Sequence, residues 1–143
     1  MKQFVLALIV ALVASACGGD SGGGGNPNDP SQVVIQFSTV DLVVGTGTTA
    51  ANGNTANVGY TLWLYNAAGA DNKGAQRDAG TFSFRLGSGG VIAGFDQGVN
   101  GMRVGGKRRI YVPASLGYGA QGQGSIPPNA ALVFEVELLG LTQ

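Results

Sequence analysis

The chain has 143 residues, room for one domain of ordinary size. Eight Lys and Arg balance eight Asp and Glu, and only 11% of residues are charged, so there is no electrostatic footprint for nucleic acid. Histidine is absent and Cys17 is the only cysteine; with no carboxylate cluster at metal-ligand spacing, a Ser-His-Asp triad, a Cys-His pair and a zinc site are all excluded.

The first 16 residues have the layout of a secretory signal: Lys2, an apolar run from Phe4 to Val13, then the small residues Ala14, Ser15 and Ala16. The run is short of the ~20 residues that a transmembrane helix needs. Ala14-Ser15-Ala16 fits an ordinary small-x-small cleavage site, but Cys17 follows at once, in a segment with no core to bury it and no partner for a disulfide. With the glycine-rich tail after it, this resembles a bacterial lipoprotein lipidated at Cys17, although Ala14 stands where such signals usually carry Leu. Residues 17–32, with Gly22 to Gly25 unbroken, cannot bury enough apolar surface to offset their ordering entropy. They are expected to be a flexible tether with a mean reach on the order of 20 Å.

Residues 33–143 form the predicted domain. Val33 to Phe37 and Asp41 to Val44 are short β-rich runs, with turn chemistry at Gly45-Thr46-Gly47 and Asn52-Gly53-Asn54. Val58 to Tyr65 is apolar on both alternating faces, which predicts a strand covered on both sides or lying beneath a loop. Phe82, Phe84 and Leu86 alternate with Ser83 and Arg85, and Leu132, Phe134, Val136 and Leu138 alternate with Glu135 and Glu137; each series assigns one face to a core. Ile92, Phe95, Val99 and Met102 form the stripe of one amphipathic helix. Glycines between Gly89 and Gly101 weaken it by roughly 1 kcal/mol each against alanine, so packing must hold it. The pattern predicts an α+β domain, a single twisted antiparallel sheet wrapped on one short helix, with a small closed β-barrel as the alternative. Arg103, Lys107, Arg108 and Arg109 lack interleaved aromatics and read as a solvated strand face or turn.

Between the apolar runs Ile110 to Val112 and Ala131 to Leu139 lies a glycine-dense loop with Tyr118, Ile126 and Pro127-Pro128. As plain structure it is a hairpin with a long loop. As a binding rim it offers the Tyr118 hydroxyl and the Ile126 N–H, on a backbone restrained by the two prolines.

Tyr118-Gly119, Ile126-Pro127-Pro128 and Leu132 to Leu139 follow one another in an order that closely resembles the C-terminal signature of the FKBP-type peptidyl-prolyl isomerases. Val58-Gly59-Tyr60-Thr61, Phe82-Ser83-Phe84-Arg85-Leu86-Gly87, and Val91-Ile92-Ala93-Gly94-Phe95 with Gly98 resemble the family's other motifs, so the likeness spans roughly Gln36 to Leu141. It implies a pocket walled by Tyr60, Phe82, Val91, Ile92 and Phe134 and floored by Phe95, with Tyr118 and the Ile126 N–H holding substrate carbonyls. Extending the Tyr60 strand without a gap puts Asp71 at the family's pocket aspartate. Each residue also has a plain reading: the phenylalanines as core, the tyrosines as edge aromatics, Asp71 as a turn residue. The chain departs from the family pattern at Leu62, usually Gly, at Ala70, usually Phe, at Phe95, more often Trp, and at Ser125, more often apolar.

The reaction implied requires no nucleophile. The amide barrier of roughly 18–20 kcal/mol comes from C–N double-bond character, and a dry aromatic pocket that supports a twisted amide lowers it. The resemblance therefore implies a cofactor-free isomerase acting on proline-containing proteins and able to take rapamycin-like macrolides; with the signal and tether, it is expected to serve exported proteins on the periplasmic or cell-surface side of the envelope, as a monomer held to a membrane only by its lipid anchor. The alternative is a binding module or holdase using the same pocket without turnover.

Overall fold

The computed structural model describes residues 33–143, so the predicted signal, tether and lipidated Cys17 lie outside the described residues. The described chain runs β1 (Ser38–Val43), β2 (Thr55–Tyr65), β3 (Lys73–Arg85), α1 (Ala93–Val99), β4 (Lys107–Val112) and β5 (Leu132–Thr142). All strand pairs are antiparallel, in the order β1-β4-β5-β2-β3. β1 and β3 remain unpaired with each other, so the sheet is open and the barrel alternative fails.

Period-two alternation decides which residues face the helix. Ala56, Val58, Tyr60, Leu62 and Leu64 of β2 are buried, as are Leu132, Phe134, Val136 and Leu138 of β5 and Ile110 and Val112 of β4. Against this face lies α1, through Phe95 and Val99. Two glycines set how closely it approaches: a Cβ on Gly98 would stand 2.4 Å from Ile110 Cδ1, and one on Gly94 would stand 2.5 Å from Val112 Cγ1. The glycines that weaken the helix in isolation are thus the points at which it touches β4.

The helix is shorter than its apolar stripe. Ile92 is its N-cap, and Met102 lies beyond it, after Gly101 has taken φ 91°; all four stripe residues are nevertheless buried. Two further expectations are corrected. Val33 to Phe37 is not a strand; β1 begins at Ser38, where pairing with Tyr111 of β4 becomes available. The outer side of β2 is not covered by a second layer, and Thr61, Trp63 and Tyr65 there are half-buried.

Side chains of neighbouring strands shield that outer face. The Lys73 ammonium sits 4.2 Å from the Trp63 ring centroid and 2.8 Å from Glu135 Oε2. Arg109 contacts the same Glu135 oxygen at 3.0 Å and Asp71 Oδ2 at 3.3 Å. Burial by itself would raise the Glu135 pKa, but the hydrogen bonds from Lys73 and Arg109 outweigh it and hold the carboxyl below its ordinary value. On the inner side of β4, Arg108 bonds Asp41 of β1 and donates to the Gly98 and Asn100 carbonyls at the end of α1. Arg108 and Arg109, with side chains 15% and 13% exposed, are thus tied into the sheet and are not the solvated face that composition suggested; Arg103 and Lys107 are exposed.

Candidate active site

Five rings converge at the end of the sheet covered by α1. Tyr60 comes from β2, Phe82 and Phe84 from β3, Phe134 from β5, and Phe95 from the first turn of the helix. Phe95 lies at the centre: its centroid is 5.2 Å from Phe134, 5.5 Å from Phe84, 5.7 Å from Phe82 and 6.2 Å from Tyr60. Tyr60 meets Phe82 edge to face at 5.5 Å. These are the separations at which aromatic quadrupoles attract, so the rings hold one another in place. Val91 and Ile92, on the turn entering α1, are buried in the same cluster, as is Ile126 from the β4–β5 loop; Phe82 and Tyr118 are partly buried against it.

One corner of this apolar basket is polar. The Tyr60 hydroxyl donates to Asp78 Oδ2 at 2.7 Å, and Asp78 Oδ1 accepts the Ala79 N–H at 2.9 Å. Burial raises the Tyr60 pKa, and the hydrogen bond to Asp78 raises it further. Burial also raises that of Tyr118, with the Asp78 charge adding to it, which places Tyr118 in the field of the same carboxylate. Both hydroxyls therefore stay protonated across the physiological range. They can donate hydrogen bonds, and they cannot serve as general bases.

The structure brings together Tyr60, Phe82, Val91, Ile92, Phe95, Tyr118, Ile126 and Phe134 as expected, and corrects two assignments. Asp71 is not at the pocket. It sits in the 3₁₀ turn Ala70–Asn72 of the β2–β3 hairpin with φ 55°, its carboxylate beside Arg109 and its carbonyl accepting the Tyr111 hydroxyl at 3.1 Å. Arg109 and Tyr111 flank the core-facing Ile110 and so point to the outer face. The aspartate that meets Tyr60 is Asp78, on β3, which extends back to Lys73. A signal for it was present: Asp78, Gly80, Phe82 and Phe84 share one parity, whereas Asp71 has the other.

The second correction concerns the rim donor. The Ile126 N–H is taken, donating to the Gln123 carbonyl at 2.8 Å while Gln123 N–H returns a bond to Ile126 O at 2.9 Å. That reciprocal pair closes the loop and buries the Ile126 side chain. A backbone donor left at the basket is the Ile92 N–H. As the N-cap of α1 its carbonyl accepts from Phe95 and Asp96, but its own N–H has no hydrogen-bond partner among the described residues. Nothing in residue type marks an N–H as free, so this donor was invisible before the fold.

An open antiparallel sheet on one short helix, closing an aromatic basket with a tyrosine–aspartate corner, is the architecture of the FKBP-type isomerases, and the chain belongs to that family: the FKBP-type peptidyl-prolyl cis-trans isomerase profile matches residues 46–139. Among individual relatives, the chain is 47% identical over 100 residues to an FK506-binding protein of Neisseria meningitidis, covering 69% of this chain and 90% of that one. It is 40% identical over 139 residues to FK506-binding protein 2 of Dictyostelium discoideum, covering 96% and 95%. Some relatives are much longer, and the chain spans 24% of FK506-binding protein 4 of Neurospora crassa. Of solved structures, AtFKBP13 superposes with a TM-score of 0.64 at 33% identity, covering 73% of this chain and 91% of that one. FkpA from Escherichia coli gives 0.63 at 33% identity, covering 74% and 48%.

Proposed function

We propose that this protein is an exported peptidyl-prolyl cis-trans isomerase that assists the folding of proteins beyond the membrane, tethered by a lipid on Cys17 through residues 17–32. The observation that carries the reading is the basket itself: four rings around one buried phenylalanine, with hydroxyl and N–H donors at its edge and, among the described residues, no histidine or cysteine beside them. Water stabilises the planar amide by solvating its polarised carbonyl. A proline ring seated against Phe82, Phe95 and Phe134 brings its amide into a dry site, where that solvation is lost. In this reading the Ile92 N–H and the Tyr118 hydroxyl donate to substrate carbonyl oxygens as the amide turns, while Asp78 holds the Tyr60 hydroxyl. Rapamycin-like macrolides are expected to compete for the same basket.

The test is a protease-coupled isomerisation assay on a short X-Pro peptide, repeated on the refolding of a proline-limited protein. Acceleration of both, blocked by rapamycin, supports the proposal. Binding without acceleration replaces it with the holdase reading, which the exposed polar Ser125 of the β4–β5 loop favours by leaving the site wetter. For the anchor, the expected result is that the parent partitions into detergent and Cys17→Ser does not; equal partitioning would remove Cys17 from the proposal.

A further inference from the structure

Apart from Leu139, every large hydrophobic side chain exposed among the described residues lies within one stretch, residues 33–44: Val33, Val34, Val40, Leu42, Val43 and Val44. Val34 is 93% exposed and Val44 70%. The stretch includes β1, which forms one edge of the sheet and is exposed along its whole length. Apolar side chains scattered over a surface need no explanation, but a run gathered on one edge marks a place where something binds.

Three features point to what covers it. Residues 1–32 lie outside the described residues and join the domain at Val33, so the tether enters at the patch itself. Asp41 is the only charged residue of the stretch, and Arg108 holds it at 2.7 Å. The exposed cations Lys107, opposite Val43, and Arg103, which donates to the Gly47 carbonyl, stand at its C-terminal end, with Glu137 beyond Lys107 on β5. An apolar run with its carboxylate neutralised and cations at its end complements an anionic bilayer surface. Lastly, the β1–β4 ladder shifts register between Asp41 and Val43. Such a bulge breaks the regular row of donors and acceptors that an added strand, from a client or a second copy, would have to match. A lipid interface requires no register.

We infer that the β1 edge, residues 33–44, rests on the anionic membrane that holds the lipid of Cys17. The inference rests on the lipid-anchor reading above. A tether reaching on the order of 20 Å keeps the domain at a high effective concentration beside the bilayer, which populates a contact too weak to form from solution. The edge sits at headgroup depth, because its unpaired N–H and C=O groups need water or headgroup partners and would be left unsatisfied in hydrocarbon. The basket draws its rings from β2, β3, β5 and α1, and β4 separates β1 from those strands, so the contact orients the domain with the basket uncovered.

The experiment uses the full lipidated chain in vesicles of phosphatidylethanolamine and phosphatidylglycerol. Cys17 is the only cysteine, so with lipid on it a thiol introduced by Val44→Cys, or by Ser83→Cys on β3 at the opposite edge, is the single site for an environment-sensitive fluorophore. Nitroxide lipids should quench the probe at residue 44 several-fold more than the probe at residue 83, and headgroup nitroxides should outdo those deep in the acyl chains. Adding Val34→Ser, Val40→Ser and Leu42→Ser should bring quenching at residue 44 down to the level at residue 83. Flotation with the vesicles and kcat/KM on a soluble X-Pro peptide should stay at the parent's values. Thermal unfolding checks that these exposed substitutions leave the domain folded. Equal quenching at the two positions in a chain that floats, or quenching that survives the three serines, overturns the inference and leaves the anchor in place. A probe at residue 44 that lipid does not quench, and that shifts to the blue as protein density rises, assigns the edge to a second copy and overturns it too. A chain that does not float overturns the anchor reading, and the inference with it.

Discussion

Removing each of two aspartates in turn separates the structural assignment from the one suggested by spacing. Asp78 accepts the Tyr60 hydroxyl at 2.7 Å, and Tyr60 is only 4% exposed. Asp78→Ala leaves that hydroxyl without its acceptor in a site that admits little water, which costs about 1–3 kcal/mol. At roughly 4 °C per kcal/mol for a domain of this size, Tm should fall by about 4–12 °C. Tyr60 is also a wall of the basket, so its release should lower kcat/KM on an X-Pro peptide by about five-fold or more. Asp78→Asn keeps an acceptor oxygen and should recover most of the stability. Asp71, by contrast, meets Arg109 at 3.3 Å on the outer face with its side chain 53% exposed. Asp71→Ala should cost at most about 1 kcal/mol and leave the rate unchanged. Differential scanning calorimetry and the protease-coupled assay on both variants decide the matter. A silent Asp78→Ala beside an inactive Asp71→Ala would refute the tyrosine–aspartate corner described here.

Phe95→Ala empties the centre of the ring cluster and should destabilise by about 3–5 kcal/mol in urea titration, with activity lost even where the variant remains folded. Tyr118→Phe removes one neutral donor, so kcat/KM should drop about two- to twelve-fold; a loss of several hundredfold with a titrating rate would mean proton-transfer chemistry and end the desolvation mechanism. Burial and Asp78 raise the Tyr60 pKa above its ordinary 10.0, so the folded state holds that proton more tightly than the unfolded chain. The resulting stability is complete below about pH 10 and is lost as pH rises toward the folded value, while the rate should be flat between about pH 6 and 8. Glu135 behaves oppositely. Its lowered pKa contributes stability above its ordinary 4.5 that is lost as pH falls through the folded value. Glu135→Gln should cost about 1 kcal/mol at pH 7 and flatten the acid limb of a Tm-versus-pH curve.

The sequence alone determined much of the core, because alternation at period two and the helical stripe are local properties of a chain that must bury one face of each element. Phe84, Phe134, Leu132, Val136 and Leu138 were legible in this way, and so were Phe95 and Val99 as the helix's inner face. The loop from Pro113 to Ala131 was likewise legible as a rim, since proline and glycine act on their own backbone whatever surrounds them. Properties that depend on pairing were not legible. Spacing along an ungapped strand selected Asp71, whereas two irregularities in the β2–β3 register and a strand begun at Lys73 put Asp78 on the Tyr60 hydroxyl. Whether a backbone N–H is free depends on which carbonyl happens to face it; Gln123 closed off Ile126, and the turn into α1 left Ile92 open. Val33 to Phe37 has the composition of a strand but no partner, and β1 starts only where β4 supplies one. A hydrogen bond needs two groups brought from distant parts of the chain, so its existence is decided by tertiary structure, while the preference of a residue for a face or a turn is carried by the residue itself.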